Sequence, residues 1–252
     1  MIDTHCHIDF EEYDKDRTEV IKRAKEKLDA VIISGIGLES NKKLLEYCRN
    51  DNFIYPTLGF HPIRSHEVSL EELKQTQQHI IENKKDILAI GEVGLDFYYV
   101  KDKTIRNIQM ERFKTFVKLS NEYKIPLLIH SRDAYKKALN LILEHEDIPY
   151  VIFHCYSGSY KTAKRIMEHD NYFMSFSAML AYSKPHQELV EKIPVEHMVT
   201  ETDSPYLALT KEERNEPINV KIAIEKIAEL KNMDPKTVDE ITTKNAKKAF
   251  NI

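Results

Sequence analysis

Three observations predict a (β/α)8 TIM barrel formed as one domain over residues 1–252. Eight short aliphatic or β-branched runs begin near Ile2, Ala30, Phe53, Ile87, Pro126, Pro149, Tyr172 and His197. Their spacing, about 28 residues, is that of a strand followed by its crossover helix, and a length of 252 residues suits a single barrel. All six glycines, Gly35, Gly37, Gly59, Gly91, Gly94 and Gly158, fall at or just beyond the predicted C-terminal strand ends. Glycine serves where backbone turns sharply or approaches something closely, and in a barrel that end is the working face.

The first run closes with His5-Cys6-His7, and strand alternation directs both histidines to one side and Cys6 to the other. Val20, Ile21, Ala24 and Leu28 then form one face of a helix. After the third run comes Gly59-Phe-His-Pro62, and Ser69-Leu-Glu-Glu72 is a capping box opening the next helix. The fourth run, Ile87-Leu-Ala-Ile-Gly-Glu92, closes on a carboxylate and is followed by a helix striped by Met110, Phe113, Phe116, Val117 and Ser120. The fifth run closes on His130, the sixth on His154, and Asp203 follows the eighth. Asp234-Pro235 starts the last helix as N-cap and N1. No linker, low-complexity tract or internal repeat divides the chain.

Composition removes several function classes. Lysine and arginine total 37 against 41 acids, a net charge of -4, so a broad basic surface for nucleic acid is not expected. Mean hydropathy is -0.49, and the longest apolar runs are strand-sized, which excludes a membrane-spanning helix. The residues after Met1 lack the basic and apolar regions of a secretion signal, so a cytoplasmic location is expected. Three cysteines at no recurring spacing fit neither a disulfide framework nor a cysteine zinc site. Six scattered glycines make no phosphate loop or dinucleotide fingerprint.

A histidine or carboxylate closing an aliphatic run is costly unless it is paired or holds a metal. Five strands do this at one end, which brings His5, His7, Glu92, His130, His154 and Asp203 together. These are ligands enough for two divalent ions, with Glu92 able to bridge them. Such a pair activates water for hydrolysis, with Glu92 and Asp203 as the catalytic carboxylates. Around the site, His61, Arg132, Tyr156, Ser157 and Arg214 are candidate substrate-binding residues, the arginines as bidentate phosphate ligands. Gly158 adds a backbone N–H. His61 and Arg132 have structural readings as well, one hydrogen-bonded to loop backbone and the other paired with an acid such as Asp133. Glu201 shares the inward face of Asp203 and suits a role orienting a ligand. His66, His79, His145, His169, His186 and His197 are expected to be solvated or on helix surfaces.

The motifs IDTHCH, GFHP, GEVGLDFY, IHSRDA, FHCYSG, ETDSPYL and RNEP run in order from residue 2 to 217. In that order the chain resembles the TatD family of metal-dependent deoxyribonucleases, within the amidohydrolase-like TIM barrels. Tyr156 stands where phenylalanine is commoner. The resemblance implies hydrolysis of DNA phosphodiesters, often as a 3′-to-5′ exonuclease. It implies His5, His7, Glu92, His130, His154 and Asp203 as metal ligands, Asp203 also orienting or deprotonating water. It implies magnesium or another divalent ion, whereas four imidazoles suit manganese or zinc. DNA is the expected partner, with no membrane and no obligate protein partner. Two rival readings are an amidohydrolase-like enzyme for an amide, lactone or small phosphoester, and a metal-binding protein without catalysis.

Overall fold

A computed structural model of the chain describes residues 1–49, 51–210 and 213–252. Eight parallel strands lie in one sheet in chain order: β1 (Ile2–Cys6), β2 (Ala30–Ser34), β3 (Ile54–Phe60), β4 (Ile90–Asp96), β5 (Leu127–Arg132), β6 (Val151–Phe153), β7 (Tyr172–Phe176) and β8 (Met198–Thr200). The sheet curls until β8 returns to β1. There the Thr4 hydroxyl donates to the Thr200 carbonyl at 3.0 Å, and the Asp203 amide donates to the His5 carbonyl at 3.0 Å. Nearly closed in this way and jacketed by helices, the molecule is a (β/α)8 TIM barrel.

The helices are α1 (Arg17–Lys25), α2 (Leu38–Cys48), α3 (Leu70–Glu82), α4 (Lys103–Tyr123), α5 (Tyr135–Ile142), α6 (Tyr160–Ile166), α7 (Lys184–Lys192), α8 (Val220–Lys231) and α9 (Pro235–Phe250). Their starts are chemically marked. The Ser69 side chain accepts the Glu72 amide at α3, and Asp234 accepts the Thr237 amide just before Pro235 at α9. Val20 and Ala24 of α1 and Phe113, Phe116 and Val117 of α4 are buried against the sheet. Among the described residues, no helix is long and apolar enough to cross a membrane.

The barrel interior is layered. At its floor Ile2, Ile32, Leu128, Ile152, Phe173 and Val199 form an apolar cluster closed from below by Ala246, Ala249 and Phe250 of α9. Above it lie four fully buried hydroxyls, with Thr4 bonded to Ser175 at 3.3 Å and Thr57 donating to Ser34 at 3.0 Å. The histidines and carboxylates occupy the mouth above these. Cys6 packs with the outer core between strands and helices, opposite in sense to its neighbouring histidines.

Strand ends differ from expectation in two places. β4 begins at Ile90, three residues later than predicted, and continues past Glu92 to Asp96; β5 continues past His130 to Arg132. A charged residue need not end a strand when its face opens on a polar interior. Gly91 and Gly94 accordingly lie within β4 rather than at its end, while Gly59 is the last residue but one of β3. A Cβ at Gly59 would collide with the backbone of Glu92. One at Gly94, whose φ is +153°, would strike the His130 carbonyl. These glycines let β3, β4 and β5 draw close beneath Glu92 and His130.

Candidate metal centre

The pairing of β1 with β2 slips between Asp3 and Cys6, and that of β4 with β5 slips between Ile90 and Val93. Such irregularities re-aim side chains, and here they serve the two strands that carry His5, His7 and Glu92. Asp203 has a left-handed backbone, φ 54°, a conformation that aspartate tolerates better than most residues. Its side chain is 17% exposed, more than the other acids at the centre.

Glu92 divides its two oxygens between two groups of imidazoles. Oε2 lies 3.0 Å from His5 Nε2 and 3.4 Å from His7 Nε2, and Asp203 Oδ1 lies 3.3 and 3.8 Å from the same nitrogens. Oε1 lies 2.9 Å from His61 Nε2 and 3.3 Å from His130 Nδ1, which in turn is 3.1 Å from His154 Nε2. The far sides of the His5, His7 and His130 rings are held as well. His7 Nδ1 donates to the Ser34 carbonyl at 3.2 Å, leaving its Nε2 with a lone pair toward the carboxylates. His5 Nδ1 is 2.9 Å from the Ser34 hydroxyl, and His130 Nε2 is 3.2 Å from Asp96 Oδ2.

These contacts satisfy the donors incompletely. His5 Nε2 and Glu92 Oε2 are buried without a hydrogen-bond partner although they are neighbours. Burial opposes protonation of His5, but Glu92 and Asp203 raise its proton affinity well above the ordinary value, so this gap between nitrogen and carboxylates draws a positive charge, which a divalent cation supplies as well as a proton does. Three overlapping groups each present donor atoms within 4.8 Å of one another: His5, His7 and Glu92; His5, His154 and Asp203; His61, Glu92 and His130. A nitrogen-rich donor set with carboxylates fits a divalent transition ion.

The electrostatics follow from burial set against neighbours. Burial opposes ionisation of Glu92, but His61, His154 and His5 around it hold its carboxyl well below the usual range. Burial likewise opposes protonation of His130, yet hydrogen bonds to Asp96 and Glu92 raise it to about 9. Desolvation pushes Glu201 up to about 7 and Asp3 up to about 8. Asp3 accepts the Thr202 amide at 2.9 Å and so ties β1 to the residues after β8. Glu201 accepts the Cys155 amide at 2.7 Å and stands 3.6 Å from His154 Nδ1, which is buried without a hydrogen-bond partner.

A cavity of about 590 Å³ opens above the centre, lined by His7, Phe10, Ile36, His61, Ile63, Glu92, Asp96, Tyr99, His130, Arg132, His154, Asp203, Tyr206 and Leu207. His61 has the backbone bond considered for it, since its Nδ1 accepts the Ile63 amide, and its Nε2 meets Glu92 at the cavity wall. Three other candidates lie outside the cavity lining. The Tyr156 ring is fully buried and its hydroxyl donates to the Ser159 carbonyl. Ser157 is exposed and bonded to the Tyr135 hydroxyl at 3.1 Å. Arg214 is held bidentately by Asp16 at 2.7 Å on both nitrogens, with Glu216 at 3.2 Å, and it lies over the Tyr13 ring, so its fork is already filled. Sequence reasoning passed over Asp96, Ser34, Phe10, Tyr99 and Tyr206. Asp96 carried the usable signal, a carboxylate directly after an apolar residue within the GEVGLDFY motif. Of the histidines expected at the surface, His79 and His186 each bury a ring nitrogen.

Comparisons with known proteins agree in one direction. A family model described as TatD related DNase matches residues 2–251. The chain is 38% identical over 249 residues to a protein of Methanocaldococcus jannaschii named as an uncharacterized metal-dependent hydrolase, covering 99% of this chain and 96% of that one. It is 33% identical to the human deoxyribonuclease TATDN3, across 99% of this chain and 94% of the human one. Among solved structures, the TatD homolog YJJV of Escherichia coli superposes with a TM-score of 0.91 at 25% identity, covering 100% of this chain and 98% of that one.

Proposed function

Since the chain belongs to the TatD-related DNase family, we propose that this metal-dependent hydrolase holds two divalent ions at its barrel mouth and cleaves DNA phosphodiester bonds, working from the 3′ end. Hydrolysis of ester bonds is the chemistry of the family. The observation that carries the binuclear reading is the division of Glu92, one oxygen toward His5 and His7 and the other toward His61 and His130.

His5, His7, Glu92 and Asp203 would hold one ion, and Glu92, His130 and His154 the other. Bound there, divalent ions would acidify water near neutral pH and draw charge from a phosphoryl oxygen. The remaining work belongs to the chain. Asp203, at the exposed edge of the centre, orients the attacking water and accepts its proton. Ser34 and Asp96 fix the rings of His5 and His130, and the Glu201 carboxylate, 3.6 Å from His154 Nδ1, biases that ring by its charge. Arg132, lining the same cavity, supplies a cation for a non-bridging phosphate oxygen. With four imidazoles, two on β1 and β5 and two just beyond β1 and β6, manganese or zinc suits the centre better than magnesium.

The test is digestion of end-labelled single-stranded and duplex DNA with magnesium, manganese and zinc. The expected result is metal-dependent release of nucleotides from the 3′ end. Asp203→Asn, which keeps shape but cannot take a proton at neutral pH, should slow turnover by about 10² or more while metal content falls less. Turnover of a lactone or amide with no cleavage of DNA under any metal would overturn the proposal in favour of an amidohydrolase.

A further inference from the structure

Exposed apolar surface on this molecule is concentrated at one end. Among the described residues, the large hydrophobic side chains left exposed are Ile36, Leu70, Tyr98, Tyr99, Tyr182, Tyr206 and Leu209. All but Leu70 sit in loops that follow strands at the barrel mouth. Packing does not account for Tyr98 and Tyr99, 47% and 60% exposed, because rings that served the core would be covered by it.

Four features specify what these rings face. First, they meet edge to face, with centroids 5.0 Å apart at 86°, and so present surfaces in two directions. Second, the Arg132 guanidinium lies 4.3 Å from the Tyr98 centroid and 4.9 Å from that of Tyr99. Arg132 makes no ion pair among the described residues, although Asp133 is next to it in sequence. Third, the pair is fixed to the metal centre through one carboxylate. Asp96 Oδ1 accepts the amides of Tyr98 and Tyr99 at 2.9 and 2.7 Å, while Oδ2 meets His130 Nε2 at 3.2 Å. Fourth, Tyr99 and Arg132 line the same cavity as His130 and Glu92, so a group resting on them is continuous with a phosphate at the ions.

Resting on the nuclease reading above, we propose that Tyr98, Tyr99 and Arg132 form a stacking platform for the nucleobase beside the scissile phosphate. A base in duplex DNA has both faces occupied by its neighbours, whereas a frayed, flipped or single-stranded base has a face free. Net charge points the same way. At -4 the protein gains little from counterion release along a DNA backbone, so affinity has to come from the ions and from stacking. Base–aromatic stacking tolerates any sequence, which predicts weak base preference alongside strong dependence on a base being present.

The chain has no tryptophan, so Tyr99→Trp places a single indole at the platform. The probes are a cleavage-resistant phosphorothioate dT tetramer and a base-free deoxyribose phosphorothioate tetramer of equal length, offered to the metal-loaded enzyme. The dT tetramer should quench the indole emission and bind about tenfold tighter than the base-free one, from the worth of one stacked base. Tyr99→Ala should raise KM for a cleavable dT tetramer by a similar factor and remove the preference over its base-free counterpart, whereas Arg132→Gln, which also removes a phosphate contact, should weaken both oligomers. Equal affinity and equal quenching by the two oligomers, with their phosphodiester counterparts both cleaved, would overturn the platform and leave the nuclease reading standing. Failure of both oligomers to bind, with no cleavage of the phosphodiester dT tetramer, would overturn both.

Discussion

At the floor of the barrel, Leu128 of β5 and Phe173 of β7 pack with Ala246 and Phe250 of α9 in a cluster without a charged member. Two residues further along the same strands, His130 faces Glu92 and Asp96, and Ser175 meets the Thr4 hydroxyl. Floor and mouth share strands, helices and pleat, and they differ only in which side chains the inward positions carry. A barrel whose floor is dry and close-packed can keep buried, mutually repelling donors at its mouth, because apolar burial elsewhere offsets their desolvation. The hydroxyl layer of Thr4, Ser34, Thr57 and Ser175 separates the two regimes and gives His5 a polar seat.

The sharpest way to break this comparison is to disable each end in turn. Glu92→Ala removes the carboxylate that faces both imidazole groups, so bound metal should fall at both positions and hydrolysis should be abolished. The fold should survive, because the side chain lies at the mouth and not in the apolar floor. Phe173→Ala should do the reverse, lowering stability by about 3–5 kcal/mol as a floor cavity opens while folded protein keeps its metal. Elemental analysis and thermal melts on both variants decide the matter. Full metal content in Glu92→Ala, or metal loss from folded Phe173→Ala, would mean that the two ends are not separable.

A smaller effect probes the seam between them. Ser34→Ala removes the hydroxyl at His5 Nδ1 without touching the mouth's donors or the floor's apolar contacts. Loss of such a partner should weaken metal binding by about 10- to 100-fold with little change in melting. Titration with a chelator-buffered metal measures it, and unchanged affinity would reduce the hydroxyl layer to packing.

The contrast between floor and mouth also sets what could be read in the sequence. Apolar runs announce strands wherever they occur, so all eight strands were legible. A histidine or acid after such a run is conspicuous, so the residues gathered around Glu92 were legible too. Boundaries were not, since a reading that stops at the first charge ends β4 at Glu92 and misses that Asp96 is on the same strand. Thr4, Ser34, Thr57 and Ser175 look like ordinary polar residues until the barrel closes and sets them one above another. The Tyr156 hydroxyl finds Ser159 by a local turn, which turns it away from the mouth that its neighbour His154 faces.

Arg214 makes the weakest and most discriminating test, because the chemistry that suits it for phosphate already binds it to carboxylates. Its partner Asp16 is 198 residues away in sequence, which is why nothing nearby betrayed the pairing. The guanidinium fastens the segment after β8 to the start of α1, reinforced by the Glu12 carbonyl at 2.8 Å and by Arg23 on Glu216 at 2.8 Å. Arg214→Ala should therefore cost about 1 kcal/mol of stability, an effect that shrinks as salt screens the cluster. The salt dependence of kcat/KM on DNA should keep its slope, since no phosphate contact is lost, whereas Arg132→Gln should flatten that slope by about one contact. Measuring both slopes against ionic strength separates an arginine that holds the protein together from one that meets its substrate. A flattened slope in Arg214→Ala would show that the cluster opens during turnover and would return Arg214 to the substrate side.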